Sequence, residues 1–531
     1  MCFLTIYLNI TSSPTPPLNL NLVALIIISL FSVTLLPCLC LHHITTRICL
    51  PLFLVSLFLL LRYLPYKLIR VLQINTPWQL APRLVYSNQK VSCLTSATLH
   101  PFPPPLKKLC LLLLGCKLWL MNIHTWSLTS LPAGAKAVGC KWLFKNKYNA
   151  DGSFQHHKAR LVAKGFSQTA GTDFTDTYSP VVKPAIIRLV LSHAISANWH
   201  IHQIDVNNAF LNGDLKEDVY MVQPPGFVST SPQLVCKLHK VLYGLKQAPR
   251  SWFHKLSTTL QSLGFHSTKS DVSLFVKFHS SYTIFILIYV DDIIITGSSM
   301  TAIQQLISNL SACFALKDLG PLHFFLGVQV TRLRNGGLHL SQQKYINELL
   351  HRTKMDVAKP LPTPMQTNLH LQKYASSAMH DPSLFRSVVG ALQYVLITRP
   401  ELSYAVNKVC QYMHSPQDHH WKAVKRILCY LAGTRTHGLI IQQCSSPSIR
   451  AFSDADWGGD VDDRKSTTGY CVFYGRNIIA WSSHKQRVVS RSSTEAEYRS
   501  IAAALTEVLT WVAPTHPATP TIFWQLRCCP S

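Results

Sequence analysis

Residues 284–296 read Ile284-Phe285-Ile286-Leu287-Ile288-Tyr289-Val290-Asp291-Asp292-Ile293-Ile294-Ile295-Thr296, an apolar run interrupted by two adjacent carboxylates. An ionised carboxylate buried there without a partner would lose several kcal/mol of hydration or more. The pair is therefore expected at the tip of a hairpin, better still where it meets a divalent cation. A plain Asp-Asp turn fits the same residues.

A third carboxylate sharpens this choice. Residues 201–210 read Ile-His-Gln-Ile-Asp-Val-Asn-Asn-Ala-Phe, with Asp205 at the end of a short apolar strand and before a turn. Nucleotidyl transfer uses two metal ions, one activating a primer 3′-hydroxyl and one holding the triphosphate and leaving group. Mg²⁺ (or Mn²⁺) takes oxygen ligands from a few carboxylates and from substrate phosphates. Asp205, Asp291 and Asp292 form such a donor set. Residues 138–148 and 153–164 flank Asn149-Ala150-Asp151-Gly152, a strong hairpin signal. Lys158, Arg160 and Lys164 share one strand parity and so one face. That face suits a triphosphate clamp, while a solvated basic edge is the plain alternative.

Composition agrees with a polyanionic partner. The chain of 531 residues carries a formal net charge of +26, with 14% charged residues, against roughly 25% in an average soluble domain. Such a balance favours nucleic acid or an anionic surface. Sixteen cysteines lack CxxC pairs, so no zinc site is implied, and a disulfide scaffold does not suit a chain of this length. Residues 1–150 contain no Asp or Glu and 13 Lys and Arg. Within them, residues 18–41 and 48–61 are apolar runs. The first has the length needed to span a bilayer. Acid-free, Leu- and Pro-rich text is also what translation through a wrong frame produces, and that reading is preferred for residues 1–120.

Further stretches carry a resemblance. They are Gly139-Cys140-Lys141-Trp142, Lys158 through Gly165, Tyr178-Ser179-Pro180-Val181-Val182, Asp205 through Gly213, Leu242 through Arg250, Tyr289-Val290-Asp291-Asp292 and Phe325-Leu326-Gly327. In order and spacing they resemble the reverse transcriptase and RNase H of Ty1/copia-type LTR retrotransposons. The resemblance implies an α+β fingers–palm–thumb hand using an RNA template, a DNA primer, dNTPs and Mg²⁺. It makes Asp205, Asp291 and Asp292 the metal-binding catalytic triad. Lys158 and Arg160 would lie in the fingers, with Arg160 at the triphosphate. Phe210 would be a steric gate against a ribose 2′-hydroxyl, and Gln247 would pack near the template base and incoming nucleotide. Gly327 would mark a primer grip.

The C-terminal part resembles RNase H, an α/β fold acting on an RNA–DNA hybrid. By that match Asp454 and Glu497 are its first two acids, with Asp456 and Glu495 as runners-up. Residues 512–531 contain no Asp or Glu, so two of about four carboxylates are missing and the nuclease is expected to be inactive. His419, His420, Lys422, Lys425 and Arg426 form a phosphate-tracking surface or a solvated helix face.

The expected organisation is a hydrophobic segment 1–120, a reverse transcriptase hand 121–360, a connection 361–445 and a truncated RNase H-like domain 446–531. Two rival readings remain: a catalytically inert element remnant, and a membrane-anchored nucleic-acid-binding protein using residues 18–61. The family resemblance implies a cytoplasmic particle or the nucleus.

Overall fold

The computed structural model describes residues 4–10, 125–148, 153–229, 231–367, 369–445, 448–512 and 522–528. The apolar runs 18–41 and 48–61 lie outside them. Among the described residues no helix is long and apolar enough to cross a membrane.

The first half lays down strands β1 (Trp126–Thr129), β2 (Cys140–Tyr148) and β3 (Phe154–Ala163), helix α1 (Pro184–Ser196), strands β4 (His200–Val206), β5 (Tyr220–Met221) and β6 (Val235–Leu238), and helix α2 (Ala248–Ser262). As the Asp-Gly signal predicts, β2 and β3 pair as an antiparallel hairpin. Then come β7 (His266–Ser267), β8 (Leu274–Phe278), β9 (Thr283–Tyr289), β10 (Asp292–Gly297), helix α3 (Met300–Cys313) and β11 (Leu316–Pro321). These build a six-stranded sheet in the order β11-β4-β10-β9-β8-β7.

The unbroken apolar run of β9 and β10 has a direct cause. Ile286, Ile288, Ile293 and Ile295 face a core made with Trp252, Leu256 and Leu260 of α2 and Ile303 and Leu310 of α3. Leu287 and Ile294 face the opposite core, with Ile186, Val190 and Leu191 of α1. Helices cover both faces, so neither strand parity is left for polar residues. Each fully buried Ile or Leu contributes about 1.5–3 kcal/mol of transfer free energy.

A second sheet, β12 (Phe324–Phe325), β13 (Val328–Arg332) and β14 (Leu338–Ser341), closes with β15 (Gly438–Ile441). Between β14 and β15 the chain forms α4 (Gln343–Arg352), α5 (Pro382–Val395), α6 (Ser403–Cys410) and α7 (Asp418–Gly433) around their own apolar core. Asp381 caps α5 by accepting from the N–H groups of Ser383 and Leu384. The basic cluster of α7 does not form one surface. His420 is fully buried, stacks on Tyr412 at 3.9 Å and reaches the Gln372 carbonyl at 2.9 Å. Burial holds its imidazole down to about 4, so it stays neutral at physiological pH.

The last part is an antiparallel sheet of β16 (Ile449–Ala455), β17 (Thr467–Tyr474) and β18 (Asn477–Lys485), followed by α8 (Ser493–Val512). This sheet shares a core with α1 rather than standing apart: Ile479, Ala480 and Val472 join Val190 and Leu191. Arg188 of α1 pins the junction. It is buried, donates to the carbonyls of Ile479 (2.8 Å) and Ile397 (2.9 Å), and lies 4.0 Å above the Trp481 ring. A second tie is ionic. Asp460, buried in the loop after β16, meets Lys485 at 2.9 Å and Lys408 of α6 at 3.2 Å. Burial works to raise the Asp460 carboxyl, but hydrogen bonds from the two lysines outweigh it and hold the group well below the usual carboxylate range.

Strands Leu4–Ile10 and Ile522–Cys528 pair antiparallel as a two-stranded sheet, and Leu4–Ile10 runs beside β16.

Candidate active site

Strand register brings the three carboxylates to one place. Tyr289 pairs with Asp292 across the β9–β10 hairpin, leaving Val290 and Asp291 as its two-residue turn. On its other edge β10 pairs with β4 so that Asp292 stands opposite Asp205. The Val206 N–H donates to the Asp291 carbonyl at 3.0 Å, fastening the turn to β4. Val290 has φ of +59°, where a β-branched side chain is strained by about 1–3 kcal/mol. The indole Nε1 of Trp252, a buried residue of α2, donates to the Val290 carbonyl at 2.7 Å and holds that conformation.

The electrostatics follow. Burial pushes the Asp205 carboxyl above its ordinary range, and the nearby Asp291 charge adds to the shift. Lys158, Lys317 and Arg160 oppose it. Burial, helped by the Asp292 charge, also raises the Tyr289 phenol. The site is thus a group of like charges that cations of the same chain offset only in part. Among the described residues no group of three or more His, Cys, Asp or Glu side chains is placed to hold a metal ion by itself. Hard oxygen donors that converge without enclosing suit a hydrated cation completed by substrate phosphates better than a dedicated structural ion.

Lys158 and Arg160 sit on β3 within electrostatic reach of Asp205. Lys164 lies beyond the strand end, where its N–H donates to the Gly139 carbonyl. The Arg160 Nε is buried with no hydrogen-bond partner among the described residues, and its guanidinium lies 4.9 Å from the centre of the Tyr243 ring. An orphaned guanidinium donor beside a carboxylate site is a ready partner for an anion.

Phe210 lies in a 3₁₀ turn, Ala209–Asn212, directly after β4. Its ring is partly exposed and packs against Tyr243 at 4.8 Å. Gln247 stands differently. It is 2% exposed and uses both ends of its amide inside the protein: Nε2 donates to the Asp173 carbonyl at 2.9 Å, and Oε1 accepts from Gln168 at 3.1 Å. Gln168 also accepts from the Lys246 N–H at 2.9 Å. The side chain of Gln247 therefore braces the loop after β3.

Two residues at this site escaped the sequence reading. Lys317 pairs with Asp205 across β11, a register that includes an irregularity between Asp318 and Gly320 and leaves no local sequence signal. Tyr243 lies inside the Leu242–Arg250 stretch already singled out, but nothing in the spacing distinguishes it from Gln247. Its phenol is raised by burial, lowered by Arg160, and raised by Asp291 and Asp205.

The second acid pair also meets. Asp454 ends β16 and Glu497 lies in the first turns of α8. Burial pushes the Glu497 carboxyl up, the Asp454 charge pushes it further, and the Ala455 N–H opposes both. The Glu497 Oε2 is buried with no hydrogen-bond partner among the described residues. The runners-up are held in structural roles. Asp456 accepts from the Thr467 N–H at 2.5 Å. Glu495 accepts from the Arg491 N–H at 2.7 Å and pairs with Arg499 at 2.7 Å.

Comparison with known proteins fits this geometry. The family model described as reverse transcriptase (RNA-dependent DNA polymerase) matches residues 123–367. Over 391 residues the chain is 50% identical to the retrovirus-related Pol polyprotein from transposon RE1 of Arabidopsis thaliana, covering 73% of this chain and 26% of that protein. It is 49% identical over 237 residues to an uncharacterized mitochondrial protein of Arabidopsis thaliana, covering 44% of this chain and 97% of the relative. Over 308 residues it is 32% identical to a transposon Ty5-1 protein of Saccharomyces cerevisiae, covering 57% of this chain and 100% of the relative. The chain thus spans about a quarter of the length of the RE1 polyprotein.

Proposed function

The chain belongs to the copia-type retrotransposon Pol family and carries its reverse transcriptase domain, and from that premise we propose that it extends a DNA primer on an RNA template. One observation carries the proposal: Asp292 stands opposite Asp205 in the sheet, with Asp291 in the adjoining turn. The six-stranded sheet acts as the palm and the β2–β3 hairpin as the fingers. The α4–α7 region acts as thumb and connection.

Asp205, Asp291 and Asp292 would hold Mg²⁺ or Mn²⁺. The bound ion supplies charge neutralisation at the triphosphate and a more acidic primer 3′-hydroxyl. A cation bound there would favour the ionised form of Asp205, against the burial and the Asp291 charge that raise its pKa. Arg160, with its unpartnered Nε, binds a phosphate oxygen of the dNTP, and Lys158 adds charge to the same face. Phe210 closes the sugar subsite and rejects a 2′-hydroxyl by its volume. Gln247 acts from behind, by bracing the loop that carries the fingers. The family places such a protein in a cytoplasmic particle or the nucleus.

The C-terminal sheet and α8 form an RNase H-like unit without nuclease activity. Asp454 and Glu497 meet there, while Asp456 and Glu495 are spent on backbone N–H groups and Arg499. Hybrid binding without cleavage is the expected behaviour.

Primer extension on poly(rA)·oligo(dT) with dTTP and Mg²⁺ tests the polymerase. The unsubstituted chain extends the primer, and Asp291→Asn loses at least about 100-fold, as for loss of one charge-stabilising group in an active site. Equal extension by both proteins, or none by either, overturns the proposal. Release of fragments from a labelled RNA–DNA hybrid would overturn the inactive nuclease.

A further inference from the structure

We propose that Tyr243 is a positioning residue for nucleotide selection, a strut that fixes the sugar gate Phe210 and the phosphate-binding Arg160 relative to each other. The inference rests on the polymerase reading above and assigns a residue to sugar discrimination that the carboxylate geometry alone leaves out.

The ring of Tyr243 has two neighbours that matter. The Phe210 ring packs against it at 4.8 Å with an interplanar angle of 56°. The Arg160 guanidinium lies over it, 4.9 Å from the ring centre. Phe210 follows β4 and Arg160 belongs to β3, and the two strands lie in different sheets. The Tyr243 ring is therefore a shared surface joining the gate to the basic hairpin. A gate that acts by volume works only where its ring is held still, because a shift of about an ångström opens room for a hydroxyl.

The backbone of Tyr243 is itself locked to the hairpin. The Ala163 N–H donates to the Tyr243 carbonyl at 2.8 Å, and Val162 forms a parallel bridge to Tyr243. The next residue, Gly244, has φ of +93°, and a Cβ there would meet the Ala163 carbonyl oxygen at 2.1 Å. No side chain can be accommodated, so the two segments stay in backbone contact. Gln247 and Lys246 fasten the same segment to Gln168. The strut is thus braced from both ends, while its ring is free to act on Phe210 and Arg160.

Consider the full-length chain with Mg²⁺ on poly(rA)·oligo(dT), comparing kcat/KM for dTTP with that for UTP. Tyr243→Leu removes the ring and lowers the dTTP-over-UTP preference about tenfold, the scale of an aromatic pair together with a cation–π contact. Its KM for dTTP also rises, because Arg160 loses its support. Tyr243→Phe keeps the ring and holds the preference within about twofold of the starting protein. Phe210→Val opens the gate directly, and adding Tyr243→Leu to it costs no further preference, because both act on one element. Tyr243→Met deletes the ring with a longer side chain and replaces Tyr243→Leu if that protein does not fold. Retained preference in either ring-deleted protein, or multiplicative losses in the double variant, would overturn this inference while leaving the polymerase reading intact. Absence of extension by the unsubstituted chain would sink both.

Discussion

Two carboxylate sites in this molecule start from the same plan and end differently. Each places an Asp at the end of a strand and a second acid beside it from a neighbouring element. At the central sheet a third carboxylate joins, and Lys158, Lys317 and Arg160 offset the charge. At the C-terminal sheet Asp454 and Glu497 meet as a pair, and the acids next to them are engaged elsewhere. The difference teaches that adjacency of carboxylates is cheap for a fold to produce, whereas the surrounding complement of ligands and counter-charges decides what it can do.

Substitutions can press on this contrast. The largest effect belongs to the central site, where Asp291→Asn removes extension by the factor given above; the same exchange at Asp454 leaves extension unchanged. The next largest effect is on stability. Asp460→Asn strands two lysines against a buried amide and destabilises the C-terminal unit by about 3–5 kcal/mol, measured as a lower urea midpoint. Its pH dependence has a definite sign. The Asp460 pKa is depressed in the folded state, so its contribution is present above the unfolded value of about 3.9 and is lost as pH falls toward the folded value. In Asp460→Asn that part of the acid sensitivity disappears.

Arg188→Met deletes two hydrogen bonds to buried carbonyls and the cover over Trp481. A cost of about 2–4 kcal/mol is expected, read by the same urea titration. If the C-terminal sheet were an independent domain, this change would leave its midpoint unmoved. The smallest effect is at Asp454. Its exchange for Asn removes a charge that raises the Glu497 pKa. A folded-state pKa raised above the unfolded value weakens the protein at neutral pH, so Asp454→Asn stabilises slightly, by less than about 1 kcal/mol after solvent screening. A marked loss of stability would mean that Asp454 is held by favourable contacts rather than repelled.

Much of the fold was legible from local pattern. The apolar run around Asp291-Asp292 predicted a hairpin with the carboxylates at its tip, and the β9–β10 pair is that hairpin; that helices cover both its faces came from the tertiary structure. Asp151-Gly152 between two strand-like runs predicted the basic hairpin β2–β3. The helical spacing after Glu497 predicted α8, in which Glu495 contacts Arg491 and Arg499. Less legible was the environment of each side chain. Gln247 reads as a polar residue in a loop motif, yet its amide is consumed by Gln168 and Asp173. His420 reads as one of a basic cluster, yet it is buried against Tyr412. The partition at residue 446 did not foresee that α1 would serve two sheets at once.

By itself, then, the sequence determined the elements whose cause lies within a few residues: strand and helix periodicity, the Asp-Gly hairpin, and a carboxylate pair forced to a turn by the cost of burying charge. Tertiary structure alone decided which side chains meet across large separations in the chain. Register set Asp205 opposite Asp292 on one side and Lys317 on the other. Packing brought Tyr243 between Phe210 and Arg160. The physical reason is that pairing register and interior packing depend on every strand and helix at once, so no single stretch of sequence contains them.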